Sequence, residues 1–286
     1  MRRAGAIVGA GEAYRRRFPS PHNECKMSTR RYVASLAEAE PACQRPARFA
    51  APVHQAIVDA VIFDIDGTLV DSVDLHARAW LDAIEKWGKH PGFPAVRRQI
   101  GKGGDQLLRE FFTEDELEGI EKEMSGWRER HFRENFRDQV RAFPRVRELF
   151  LAIKKAGLAI ALASSAKRED LEYYRKLAAI HDLLDHVSSK DDVERSKPHP
   201  DVFAAALEKL GRPDPARVIA VGDTRWDAEA AGKAGLATIG VTCGGVDAGE
   251  LERAGCVAVY RDPAELFEKL ERSPLLARCE DRQSPY

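Results

Sequence analysis

Five short apolar runs constrain this chain more than any other feature: IVDAVIF at 57–63, LAIALA at 158–163, RVIAV at 217–221, LATIGVT at 236–242 and CVAVY at 256–260. Each has the length of a strand rather than a helix, and each is apolar almost throughout instead of alternating. Helix-like segments at 145–156, 167–179, 200–210, 226–234 and 263–271 lie between and after the later runs. Gly157, Gly211 and Gly235 fall where three of these helices should stop, the position at which a left-handed residue closes a helix. Apolar strands alternating with helices predict an α/β fold, a Rossmann-like parallel sheet core covered on both faces.

One interval breaks the alternation. Residues 64–157 contain no strand candidate, but 74–87, 104–112 and 114–136 read as helices. A compact insertion fits that interval better than a long loop. The expected organisation is therefore a catalytic core made of 56–73 and 141–275, an inserted α-helical cap domain at 74–140, and a short tail at 276–286. The cap leaves the core beside the carboxyl ends of the strands, where ligands of open α/β sheets bind.

Residues 1–55 are different in kind. They carry ten Lys and Arg against four Glu and no Asp, a net of +6, while the rest of the chain sums to −7. Such a basic segment suits a disordered extension, an organelle transit peptide, or a reading frame extended upstream of a start at Met27 or later. The GAGEA at 9–13 lacks the strand and βαβ unit that would make it a dinucleotide loop. The mildly acidic main body argues against a nucleic-acid partner, and no apolar run approaches the roughly 18 residues of a membrane span. Cys25, Cys43, Cys243, Cys256 and Cys279 form no C-x-x-C pair, a pattern expected of reduced thiols in a cytoplasmic protein. The sequence gives no oligomeric state.

The polar residues at strand ends carry the chemistry. The first run continues into Asp64-Ile65-Asp66-Gly67-Thr68, and the second into Ser164-Ser165 at the start of a helix. Lys197 precedes the helix PHPDVFAAALEKLG, and the third run ends in VGDTRWD with Asp223 and Asp227. Asp64 and Asp66 leaving one strand end cannot both remain bare anions in a dry site, and a hard divalent cation would neutralise them. Asp223 adds an oxygen ligand from another strand, so Mg²⁺ is the expected metal. A carboxylate can also attack phosphorus, and a second acid can move the proton. Ser164, Ser165 and the backbone N–H groups that follow suit phosphate oxygens, with Lys197 balancing the charge. Gly67 and Thr68 turn the chain toward the cap. Asp227 also suits a helix first turn, and His76 an exposed helix face. Asp71 reads as structural.

Taken together, these segments resemble the four motifs of the haloacid dehalogenase-like superfamily: FDIDGTLVDS, LASS, SKPHPD and GDTRWD, in order, over about 57–275. The resemblance implies that Asp64 is the nucleophile and Asp66 the general acid/base. It implies that Asp64, the Asp66 backbone carbonyl and Asp223 hold Mg²⁺, that Ser164 and Lys197 bind phosphate, and that Asp227 supports the metal or Lys197. Superfamily dehalogenases lack the second Asp, so its presence points to phosphoryl transfer. A helical cap between the first two motifs resembles phosphoglycolate phosphatases and β-phosphoglucomutases. His76 and Trp80 in DLHARAW match a cap-hinge pair of the mutase group. The cap loop GKGGDQLL, however, has Gly104 where the mutase carries a phosphate-gripping Arg, and Lys102 would replace it only as a point charge. The expected activity is a Mg²⁺-dependent phosphatase for a small phosphorylated metabolite, of phosphoglycolate or sugar phosphate type. A sugar phosphomutase and a non-catalytic binding module are the alternatives.

Overall fold

The computed structural model describes residues 58–276. The extension expected at 1–55, almost all of the tail, and Cys25, Cys43 and Cys279 lie outside the described residues. Eight strands occur among those described: β1 (Ala60–Phe63), β2 (Val70–Asp71), β3 (Arg141–Ala142), β4 (Ala159–Ala163), β5 (His186–Ser188), β6 (Val218–Gly222), β7 (Ala237–Val241) and β8 (Cys256–Tyr260). Six of them form one sheet in the order β5-β4-β1-β6-β7-β8 with every neighbour parallel. This is the α/β, Rossmann-like parallel core expected from the apolar runs. The chain steps from β1 outward through β4 and β5, then returns to β6 on the other side of β1. The direction of winding therefore reverses between β1 and β6, and a crevice opens at their carboxyl ends.

Five helices intervene before β3: α1 (Val73–Lys86), α2 (Phe93–Arg97), α3 (Gly104–Leu108), α4 (Glu114–Leu117) and α5 (Glu121–Asn135). Val73, Ala77, Trp80 and Ile84 recur at helical spacing on α1 and are buried. They pack with Val96, Ile100, Leu107, Leu108, Phe112, Leu117 and Met124 into an apolar cluster of the insertion's own. β2 and β3 pair antiparallel at the neck where the chain leaves and re-enters the core.

Six helices cover the sheet: α6 (Val146–Lys155), α7 (Arg168–Leu177), α8 (Asp201–Lys209), α9 (Arg225–Lys233), α10 (Ala248–Arg253) and α11 (Pro263–Glu268). Alternation along β1 divides the core. Val61 and Phe63 join Leu149, Phe150, Ile153, Leu171 and Leu266 on one face, where the Phe63 and Phe150 rings lie 4.8 Å apart. Ala60 and Ile62 join Val202, Phe203, Ala206, Ala230 and Ala231 on the other. The alanines there let α8 and α9 approach the sheet closely.

The structure departs from the sequence expectation at short or interrupted elements. The helix expected over 114–136 is split into α4 and α5, because Gly119 between them adopts φ +82°. β5 was not expected, since His-Val-Ser is too short and polar to form an apolar run; it exists because β4 offers it a parallel partner. α2 and α10 have five and six residues, below the length at which periodicity can be read.

Candidate active site

Two residues beyond β1 the chain makes a tight turn, with Gly67 N–H donating to the Val70 carbonyl at 2.8 Å and Leu69 N–H to that of Ile65 at 2.8 Å. Gly67 sits at φ +81°, and a Cβ there would lie 2.3 Å from Asp223 Oδ2. Only glycine allows both the left-handed turn and the approach of the β6 acid. The turn aims the two acids of β1 in different directions. Asp64 is buried at the sheet's carboxyl edge. Asp66 instead faces α1, where its Oδ1 accepts from Ser72 Oγ at 2.6 Å and from His76 Nε2 at 2.9 Å.

Lys197 is 1% exposed and its Nζ donates to three acceptors: Asp64 Oδ1 at 2.5 Å, Asp227 Oδ1 at 2.7 Å and the Ala163 carbonyl at 3.1 Å. Burial opposes its charge, but Asp227 and Asp64 more than offset this and raise the ammonium's pKa above its ordinary value. Asp227 closes a capping box at the start of α9, its Oδ2 accepting from Thr224 Oγ1 at 2.6 Å and Thr224 N–H at 3.1 Å. It is thus both a helix cap and the second anchor of Lys197.

Carboxylate oxygens of Asp64, Asp223 and Asp227 lie within 4.8 Å of one another, all buried. Thr68 Oγ1 lies 3.4 Å from Asp64 Oδ2 and 3.2 Å from Asp223 Oδ1, bridging the two. Asp223 Oδ2 has no hydrogen-bond partner among the described residues. Burial drives Asp64 up to about 7 against the pull of Lys197, with Asp227 and Asp66 adding to the rise. Burial and then Asp227 and Asp64 lift Asp223 well above the carboxylate range. One lysine therefore faces three buried acids, and a hard cation is the chemistry that lets them all ionise. Asp64 and Asp223 fit such an ion. The Asp66 side chain is not in this cluster, being held by Ser72 and His76, and Asp227 has both oxygens engaged.

Opposite Asp64, a cavity of about 90 Å³ is lined by core residues Ser164–Lys167, Asp170 and Lys190 and by insertion residues including His76, Trp80, Lys102, Arg128 and Glu129. Ser164 Oγ accepts from Ala166 N–H at 3.1 Å, while the buried Ser165 Oγ has no partner. Lys102 lines the cavity, but its ammonium is turned to Glu110 Oε1 at 2.6 Å and over the Trp226 ring at 4.3 Å.

A family model described as haloacid dehalogenase-like hydrolase matches residues 58–235. The chain belongs to the haloacid dehalogenase-like hydrolases. It is 32% identical to a phosphorylated carbohydrates phosphatase of Thermotoga maritima, over 75% of this chain and 99% of that protein. It is 30% identical to the pyrophosphatase PpaX of Bacillus velezensis, over 74% and 93%. A crystal structure of a hydrolase from Pseudomonas syringae superposes with a TM-score of 0.68 at 32% identity, covering 75% of this chain and 98% of that one.

Several residues of this hydrolase site were not singled out from the sequence. Arg128 on α5 places Nη2 2.5 Å from His76 Nδ1. Arginine only donates, so Nδ1 is an acceptor and the ring proton sits on Nε2, facing Asp66. The His76 ring stacks on Phe132 at 4.0 Å, and Tyr174 Oη lies 3.3 Å from Nε2. Burial works against the charge of Asp66, yet His76 and Ser72 together hold its carboxyl below the ordinary value. Ser72 carried a signal, as the last residue of FDIDGTLVDS. Arg128 carried none, being one of many charges in EKEMSGWRERHFREN.

Proposed function

We propose that this hydrolase is a Mg²⁺-dependent phosphatase that cleaves a small phosphate monoester through an aspartyl-phosphate on Asp64. The observation that carries this reading is the buried grouping of Asp64, Asp223 and Lys197 at the β1/β6 switch, open to a cavity rimmed by the Ser164–Ala166 turn. Relatives that are phosphatases of carbohydrates and of pyrophosphate support the same class.

An Asp64 carboxylate oxygen attacks phosphorus, and the bond to the ester oxygen breaks as the O–P bond to Asp64 forms. The bound phosphate dianion offsets the pull of His76 and Ser72 and lets Asp66 take up a proton. Its Oδ2, free because Oδ1 is held by Ser72 and His76, gives that proton to the departing oxygen. The Asp66 carboxylate then takes a proton from water as the water oxygen attacks phosphorus, releasing inorganic phosphate and restoring Asp64. Lys197, Ser164, Ser165 and the N–H groups after them bind the phosphoryl oxygens. Mg²⁺, held by Asp64, the Asp66 backbone carbonyl and Asp223, would supply charge neutralisation for phosphate and carboxylates together. The helical insertion at 74–140 serves as the cap, and His76 is the hinge group that orients Asp66.

Phosphate release from a panel of monoesters with Mg²⁺ tests the proposal. Asp64→Asn should lower turnover at least about a thousandfold, and EDTA should abolish it reversibly. More than trace turnover by Asp64→Asn would remove the covalent step.

A further inference from the structure

A second cavity, of about 530 Å³, has Asp223 in its wall but shares none of the Ser164–Lys167 lining of the one opposite Asp64. A volume of that order suits a small organic ligand. Its walls come from both parts of the molecule, with Arg97, Arg98 and Ile100 from the insertion and Arg225, Trp226 and Arg253 from the core. Arg97 is already engaged: its Nε donates to Asp74 at 2.6 Å and its Nη2 to the Gly244 carbonyl at 3.1 Å. Gly245, at φ +88°, leaves room for that guanidinium, which a Cβ there would overlap. Arg98 and Arg253 are exposed, and their side chains have no ion pair or hydrogen bond among the described residues. The acids of the wall do not balance them. Asp223 belongs to the buried cluster, Asp247 Oδ1 accepts from Gly249 N–H at 2.9 Å to cap α10, and Glu250 stands 4.0 Å from Arg225.

Helix dipoles account for some of these charges but not for Arg225. Arg97 and Arg253 close short helices, where cations are favoured. Arg225 opens α9, the end that disfavours a cation, and is held there with its Cζ 4.0 Å from the centroid of the Trp226 ring. Stacking on an aromatic face leaves the in-plane N–H groups of a guanidinium free to donate. Concave walls concentrate the field of such charges, and guanidinium forks match phosphate oxygens two at a time.

We propose that this cavity is a second, non-catalytic anion site, which takes a small organic ligand bearing a diphosphate or longer phosphate chain and bridges Arg98 of the insertion to Arg225 and Arg253 of the core. Val73, Ile100 and Val246 in the same wall accept the apolar remainder of the ligand. A ligand so placed ties the end of α2 to α9 and α10, and so opposes separation of the insertion from the sheet. The site is independent of which ester Asp64 attacks.

Isothermal titration of the full-length protein with ADP, inorganic tripolyphosphate and adenosine, in EDTA and at one ionic strength, tests this. Without Mg²⁺ the three buried acids beside Lys197 make the catalytic cavity a poor anion site, so binding reports the second one. ADP and tripolyphosphate should bind, and adenosine should not. Arg98→Ala and Arg253→Ala should each weaken ADP binding about tenfold, the usual effect of losing a hydrogen bond to a charged group, and Arg98→Lys should recover part of the loss. Ser164→Ala should leave the affinity as in the parent. Failure of both phosphate compounds to bind overturns the proposal, as does adenosine binding as tightly as ADP. A loss below about threefold in either alanine variant overturns the bridge between insertion and core. Affinity lost in Ser164→Ala would place the anion opposite Asp64 and overturn the second site. Because the parent's response to the three probes is itself decisive, a variant that fails to fold leaves the test intact.

Discussion

Lys197 is enclosed by Asp64, Asp227 and the Ala163 carbonyl with 1% of its surface exposed, so its ammonium has no recourse to water. Removing it would leave two buried carboxylates without their shared cation. Lys197→Met is therefore expected to destabilise the metal-free protein by about 3–5 kcal/mol, the usual penalty for breaking a buried pair from one side. Adding Asp64→Asn to that variant should recover part of the loss, since it deletes one of the orphaned charges. Urea unfolding of the parent, the single variant and the double variant measures this, and additive losses would show that the two groups are not coupled. The sequence placed Asp64, Asp223, Asp227 and Lys197 at strand ends and helix starts, and these converge in space. It could not show that Asp66 would turn to His76, because its Oδ1 is held by Ser72 at α1's start and by a His76 ring that Arg128 of α5 fixes from the other side.

At the scale of elements, the turn after β5 shows how a short strand is held. Asp192 accepts from Ser189 N–H and Oγ, both at 2.8 Å, and pairs with Arg168 at 2.8 Å and Lys209 at 3.0 Å. Burial opposes its charge, but Ser189 and Lys209 outweigh it and bring the carboxyl to about 2 from an ordinary 3.8. A folded-state pKa below the unfolded one adds stability that is complete above the unfolded value and is lost as pH falls through the folded value. Asp192→Asn should then cost about 1 kcal/mol at pH 7. The gap to the parent should narrow below about pH 4 and close only below about pH 2, and unfolding at pH 7, 4 and about 1.5 checks it. A gap independent of pH would mean that the carboxylate's charge contributes nothing. β5 itself was invisible in the sequence because its three residues gain their apolar burial and ladder from β4 rather than from their own pattern. The five apolar runs were visible because a strand covered on both faces has to be apolar throughout.

Over the whole molecule, the insertion meets the sheet's carboxyl edge, and its loop after α2 decides what the cavity can grip. At Gly104 a Cβ would lie 2.7 Å from Trp80 Cζ2. Trp80 cannot yield easily, because it is 7% exposed within the insertion's own cluster and Arg128 lies over its ring at 4.8 Å. The position aligned with a mutase's phosphate-gripping arginine is thus filled by the indole. Lys102, the nearest substitute, is committed to Glu110 and Trp226. A phosphomutase must hold a sugar by a second phosphate while the first is exchanged, and neither Gly104 nor Lys102 is placed to grip it. Incubation with a hexose 1-phosphate and Mg²⁺ should therefore yield free hexose and inorganic phosphate, with no hexose 6-phosphate above the background of Asp64→Asn. Phosphorus NMR of the mixture separates the three species. A 6-phosphate signal that grows with enzyme concentration would show that Trp80 or Lys102 moves to admit the second phosphate, and would turn the assignment from hydrolase to isomerase.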